Sequence, residues 1–284
     1  MTHLPLLKEE TREELARYPR LRRTVAKLLA PPAVMVAGVF LFFATRAHSF
    51  EDTTPPLRLT IVGDSTVASY DAKSLIHGWG EFIAPRMRPR VKVHNLAVPG
   101  TSSSTFIQKG LWDGALRDKP NVVLIQFGHN DSGQDINPLQ TQSNLQFLIE
   151  SAREHGATPI LVTPMQLRRF SSDKLLPSLK EYADAAKEVA ERTGVVVIDL
   201  NDLSGQLFTN LGPARTAQLA SAYGDQTHFN RLGAQAMAEL ILHELAQTRT
   251  PLTREILEVN AVSLPAIEPR AEKPPERRKG KSKH

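Results

Sequence analysis

Three side chains in this 284-residue chain have the types and surroundings that acyl transfer needs. Ser65 stands in GDST, residues 63–66. Asp225 and His228 stand three apart in YGDQTHF, residues 223–229, a polar turn ahead of the apolar-striped stretch NRLGAQAMAEL. A serine hydroxyl is a poor nucleophile until a base takes its proton, and that base needs a group to orient it. Of the nine histidines, His3, His48 and His284 lie in the tails, and His77, His94, His155 and His243 have no carboxylate-bearing turn beside them. His129 follows an apolar run and competes, but it shows no orienting carboxylate. His228 has Asp225. The expected relay therefore runs from Ser65 to His228, with Asp225 fixing the tautomer. Such roles are set by geometry, so a separation of 163 positions is no obstacle.

The same chemistry needs hydrogen-bond donors aimed at a developing oxyanion. The candidates are the Ser65 backbone N–H, the Gly100 backbone N–H in PGTSSS and the Asn130 side-chain amide in GHNDSG. A glycine at 100 lets backbone approach a ligand closely. Losing one such donor typically costs about two to three orders of magnitude in rate.

Elements must exist to bring these residues together. LRLTIVG (57–63), VKVHNLAV (91–98), NVVLIQFG (121–128), PILVT (159–163) and GVVVIDL (194–200) are short, rich in β-branched residues and mostly apolar on both faces. Runs of that kind are parallel strands covered by helices. Between them, helical stripes are formed by Leu145, Leu148, Ile149 and Ala152, by Leu179, Tyr182, Ala186, Val189 and Ala190, and by Ala236, Met237, Leu240, Ile241 and Leu245. Gly156 and Gly194 stand where helices should stop. The pattern predicts a three-layer α/β/α sandwich on a five-stranded parallel sheet, with the site at the carboxyl ends of the strands. Each candidate above follows one of the runs or precedes the last helix.

Taken singly the signals are weak. GDS is short, an Asp in DxxH can cap the next helix, and GHND can be a turn built by its own side chains. Their combination, in the order the mechanism requires, is specific. The nucleophile elbow G-x-S-x-G does not fit, because Val67 replaces the second glycine. Asp131 and Asp199 read as structural. Cysteine is absent and the histidines do not fall at ligand spacings, so neither a metal nor a cofactor is expected. The candidate substrate contacts are Trp79 and Trp112, the two tryptophans, which read equally as core residues, and Arg168 and Arg169 after the fourth run, which read equally as a solvated basic turn. Indole faces can serve as sugar platforms, and guanidinium groups can pair with uronate carboxylates.

Charge locates the tails. The net charge is +5, yet residues 1–50 and residues 265–284 each carry +4, which leaves the middle slightly acidic. That distribution argues against a nucleic-acid partner, which would need the basic face on the folded domain. RYPRLRRTVAK (17–27) precedes a run without charge from Leu28 to Thr45 that contains Pro31 and Pro32. It reads as a signal peptide or as an uncleaved membrane anchor, and either directs export of everything after residue 50. From Pro265 the chain is rich in proline and charge and is expected to be disordered. The expected organisation is a targeting segment over 1–50, a hydrolase domain over 51–250 and a basic tail over 251–284.

GDST, NLAVPGTSS, IQFGHND and DQTHF, in that order, resemble the four blocks of the SGNH (GDSL) hydrolase family. GDSTVA, GWGEF, TFIQKGLWD, VTPMQLRRF and THFNRLGA are similar to its rhamnogalacturonan acetylesterase branch. The resemblance covers residues 57–246. It implies a flavodoxin-like fold and a metal-independent serine hydrolase acting on O-acetylated carbohydrate. It also implies Ser65 as nucleophile, Gly100 and Asn130 as oxyanion donors, and Asp225 with His228 as the remaining pair. Two departures stand out: Pro99 replaces a glycine common in relatives, and Thr101 stands where many carry arginine. The expected protein is an exported, monomeric polysaccharide acetylesterase, meeting membrane only through its N-terminal segment. The alternatives are an acetyltransferase with the same relay, a lipid or thioester hydrolase, and a glycan-binding module without catalysis.

Overall fold

The computed structural model describes residues 55–257. The apolar segment over 28–45 and the basic tail from 265 lie outside the described residues. Among the described residues no helix is long and apolar enough to cross a membrane.

Five strands occupy the five expected runs: β1 (Leu57–Val62), β2 (Val91–Asn95), β3 (Val122–Ile125), β4 (Thr158–Val162) and β5 (Val196–Ile198). They form one sheet in the order β2-β1-β3-β4-β5 with every pairing parallel, Leu57 opposite Val91, Leu59 opposite Val122, Val122 opposite Thr158, and Ile160 opposite Val196. Parallel neighbours need crossovers: two short 3-10 helices (Trp79–Phe82 and Ala84–Arg86) lie between β1 and β2, α1 (Ser103–Gln108) and α2 (Leu111–Arg117) between β2 and β3, α3 (His129–Gly133) and α4 (Pro138–Glu154) between β3 and β4, and α5 (Lys180–Thr193) between β4 and β5, while α6 (Leu200–Ala217) and α7 (Arg231–Gln247) follow the last strand. A hairpin of two-residue strands, Phe170–Ser171 and Lys174–Leu175, projects after β4.

Strand side chains alternate between two cores, which is why the runs read as apolar throughout. Leu59, Ile61, Leu124, Ile160 and Val162 pack with Phe208 of α6 and Met237, Ile241 and Leu245 of α7. Val62, Val123, Ile125 and Leu161 pack on the other face with Phe106, Trp112, Leu145, Leu148, Ile149 and Val189. Each fully buried aliphatic side chain contributes about 1.5–3 kcal/mol, so the two cores hold the sheet rigid between them. The architecture is the expected α/β/α sandwich, and its strand order is flavodoxin-like.

The expected domain end at residue 250 falls short. Leu252 is fully buried, Ile256 bridges to Met87, and the Arg90 guanidinium grips Glu255 through Nε at 2.8 Å and Nη2 at 2.6 Å. Arg90 also reaches the Pro55 carbonyl at 3.4 Å, and its own carbonyl accepts from Leu57 N–H at the start of β1. Both ends of the described domain therefore meet at the amino edge of the sheet. The last residues carry no helical stripe, which hid this clasp in the sequence.

Candidate active site

Leaving β1, the chain turns sharply: Val67 and Ala68 N–H donate to the Asp64 carbonyl at 3.1 and 3.0 Å. Gly63 is obligatory in this bend, because a Cβ there would stand 2.6 Å from Val67 Cγ2 and 2.7 Å from the Gln126 carbonyl. The turn leaves Ser65 half-buried at the carboxyl edge. The Tyr70 hydroxyl fixes it from one side, donating to the Ser65 carbonyl at 2.8 Å. Burial, with the negative charges of Asp64 and Glu81, pushes the Tyr70 phenol up to about 12, so it stays a donor.

The segment ahead of α7 brings the partner. Asn230 caps that helix, accepting from Gly233 N–H at 3.0 Å, which frees Asp225 from a capping role. Asp225 accepts four bonds: Thr227 N–H and His228 N–H on Oδ1, each at 2.8 Å, and the Ser221 hydroxyl at 2.6 Å and His228 Nδ1 at 3.1 Å on Oδ2. Burial pushes the carboxyl up, but the Ser221 hydroxyl and the two backbone N–H groups outweigh it and lower it to about 2. An ionised Asp225 can only accept, so His228 Nδ1–H donates to it and Nε2 is turned outward. That Nε2 lies 3.1 Å from Ser65 Oγ. The structure thus brings Ser65, His228 and Asp225 into one chain of contacts in the order the relay requires.

The three candidate oxyanion donors sit after β2, β1 and β3, which are adjacent in the sheet. Gly100 has φ +78° with nothing near its Cβ position, an open left-handed conformation suited to glycine. Among the described residues neither the Ser65 nor the Gly100 N–H is spent on another group. Asn130 donates one amide hydrogen to the Thr101 carbonyl at 3.0 Å, tying the third block to the second and leaving its other hydrogen for the site.

Three of the four residues assigned to substrate face elsewhere. Trp79 is fully buried with its indole N–H on Gln126 Oε1 at 2.9 Å, and Trp112 is buried with its own on Ser151 Oγ at 3.1 Å; both are core residues. Arg168 is also buried. Its guanidinium lies 4.1 Å above the Phe229 ring and donates to the carbonyls of His228 at 2.7 Å, Asp225 at 3.1 Å and Thr227 at 3.4 Å. Burial lowers it to about 10, with Asp225 opposing, so it remains a cation at neutral pH. It braces the DQTHF turn from beneath. Arg169 alone stays exposed, with Nε on Gln226 Oε1 at 3.1 Å. A groove of about 460 Å³ between the hairpin and α6, lined by Gln166, Leu175, Asp202, Gln206 and Thr209, includes none of these residues.

The bracing role carries a test. Arg168→Ala should leave the Asp225 and Thr227 carbonyls without donors, at about 1–3 kcal/mol each, while the His228 carbonyl keeps the Ser221 N–H at 3.0 Å, and so lower the urea midpoint. Arg168→Lys should recover only part, since an ammonium cannot span the fork. An unchanged midpoint in both variants would remove Arg168 from this role.

The reading of Asp131 as structural agrees with its contacts, the Ser103 N–H and hydroxyl, Gly128 N–H and Thr141 hydroxyl. Asp199 caps α6 by accepting from Asp202 N–H at 3.2 Å. His129 departs from its reading: Asp64 Oδ2 lies 3.7 Å from its Nδ1, so a carboxylate does face it. Ser221 and Tyr70 were not marked in the sequence, because a lone hydroxyl four residues from an aspartate, or five after a serine, follows no pattern.

Comparison with known proteins places this arrangement. The model of the GDSL-like lipase/acylhydrolase family matches residues 61–236. "Probable rhamnogalacturonan acetylesterase YesY" of Bacillus subtilis is 31% identical over 208 residues, covering 69% of this chain and 96% of the relative. Rhamnogalacturonan acetylesterase RhgT of the same organism is also 31% identical, covering 69% and 93%. The crystal structure of YxiM from Bacillus subtilis superposes with a TM-score of 0.64 at 28% identity, over 69% of this chain and 58% of that one.

Proposed function

This chain belongs to the GDSL-like lipase/acylhydrolase family, the SGNH carboxylic ester hydrolases, and on that premise we propose that it removes O-acetyl groups from a polysaccharide through an acetyl-enzyme. The contact of Ser65 Oγ with His228 Nε2, backed by Asp225, carries the proposal. The two acetylesterase relatives support the choice of acetyl group and of pectic polymer.

The chemistry follows from the geometry. Ser65 Oγ bonds to the ester carbonyl carbon while its proton passes to His228 Nε2. The carbonyl electron pair moves onto oxygen, where the N–H groups of Ser65 and Gly100 and the Asn130 amide receive it. Collapse breaks the bond to the sugar oxygen, which takes the proton from His228 and leaves as a hydroxyl. Water then attacks the acetyl-serine, giving its proton to His228, and acetate departs as Ser65 recovers the proton. Asp225 stabilises each imidazolium without being protonated itself. The proposal includes export, supported by the uncharged run over 28–45 behind its basic flank.

Acetate release by the purified protein tests the reading on acetylated pectin, acetylated xylan, an aryl acetate and a long-chain aryl ester. Release should be greatest per enzyme on a polymeric acetate, with pectin preferred, and the long chain should be poor. Preference for the long chain would replace the proposal with lipid hydrolysis. Acetate appearing on an added sugar in place of solution would replace it with acetyl transfer.

A further inference from the structure

Two residues outside the relay face each other behind it. Asp64 precedes Ser65, and His129 precedes Asn130. Asp64 Oδ1 is engaged by Thr66 N–H at 2.8 Å and the Thr66 hydroxyl at 2.7 Å, whereas Oδ2 is buried with no hydrogen-bond partner among the described residues. His129 Nδ1 lies 3.7 Å from that oxygen; the ring is 6% exposed and neither of its nitrogens is partnered. Three unsatisfied polar atoms in one buried spot would each cost about 1–3 kcal/mol, and native interiors seldom tolerate that. The separation exceeds a hydrogen bond, but a shift of under an ångström closes it.

The surrounding charges favour closure. Burial pushes the Asp64 carboxyl up, yet His129 and Thr66 outweigh it and hold it below the usual carboxylate range. The other titratable groups coupled to Asp64 are Asp131 and Tyr70, both acids whose own ionisation it opposes. His129 is the basic group set against it. A chain of bonds stiffens the carboxylate from behind, from Trp79 to Gln126 at 2.9 Å, Gln126 to Thr66 at 2.8 Å, and Thr66 to Asp64.

We propose that Asp64 and His129 form a second aspartate–histidine pair, one that moves no proton in the reaction and instead locks the turn bearing Ser65 to the turn bearing Asn130. The proposal rests on the roles given above to Ser65 and Asn130. Its effect is positional: a displacement of about 1 Å between nucleophile and oxyanion donor can cost on the order of a hundredfold in rate.

Kinetics on the aryl acetate and one spectrum test it. His129→Leu should lower kcat about 10- to 100-fold with KM within about twofold. His129→Asn, whose amide nitrogen falls where Nδ1 was, should recover most of the loss, and His129→Gln, which places it at Nε2, should not. Unchanged kcat in the leucine variant, or an asparagine variant as impaired as it, would overturn the pair. A second readout is independent of turnover and leaves His129 itself unchanged. A downfield imidazole N–H proton, surviving in His228→Gln and correlated with the His129 ring nitrogen, is expected; its absence overturns the proposal. Because that signal needs no catalysis, it stands apart from the fate of the esterase reading itself.

Discussion

Ser65→Ala is expected to lower kcat for acetate release by about six orders of magnitude, leaving only what binding and the oxyanion donors supply. The expectation comes from the proposed relay, in which Oγ, His228 Nε2 and Asp225 are joined by two contacts of 3.1 Å. His228→Ala should cost about as much, and the double variant no more than either alone, because a relay broken once is already broken. The comparison is a burst and steady-state assay on an aryl acetate, with circular dichroism confirming the fold. Additive losses, or acetate release persisting in Ser65→Ala, would show that the ester is cleaved by another group.

Asp225→Asn should cost about four orders of magnitude in kcat while leaving KM for a small ester little changed. The amide would offer His228 Nδ1 a donor as readily as an acceptor, favouring the tautomer in which Nε2 carries the proton and cannot take one from Ser65. A second readout uses pH. The Asp225 carboxyl is lowered to about 2 from a usual 3.8, so its bonds stabilise the fold above about pH 4 and that contribution is lost as pH falls toward 2. The wild-type urea midpoint should therefore decline through this window, and Asp225→Asn should flatten the decline. A variant with an unaltered acid limb would show that Ser221, Thr227 and His228 do not act on this carboxylate.

Much of this fold is legible in the sequence, for identifiable reasons. Leu59, Val123 and Leu161 announce strands because a parallel sheet buries both faces, leaving no polar alternation to confuse with a helix. Asp225 and His228 were legible because their contact is local, three residues apart in a turn. Arg168 was misjudged because a cation's usual partners are carboxylates, and here they are three carbonyls, which no residue type advertises. Trp79 and Trp112 carry equal signal for core and for surface, and only the satisfied indole N–H groups decide. The facing of His129 by Asp64 depends on β1 and β3 lying side by side, a fact of topology that no local pattern contains.

The clasp of Arg90 on Glu255 and Pro55 has a bearing on how the enzyme can be moored. Both chain exits leave from the amino edge of the sheet, and Ser65, Gly100 and Asn130 follow the opposite, carboxyl edge. The six residues of β1 span about 20 Å between the two. A leash attached where the chain leaves the described domain, at either exit, therefore starts on the side away from the edge that Ser65, Gly100 and Asn130 follow.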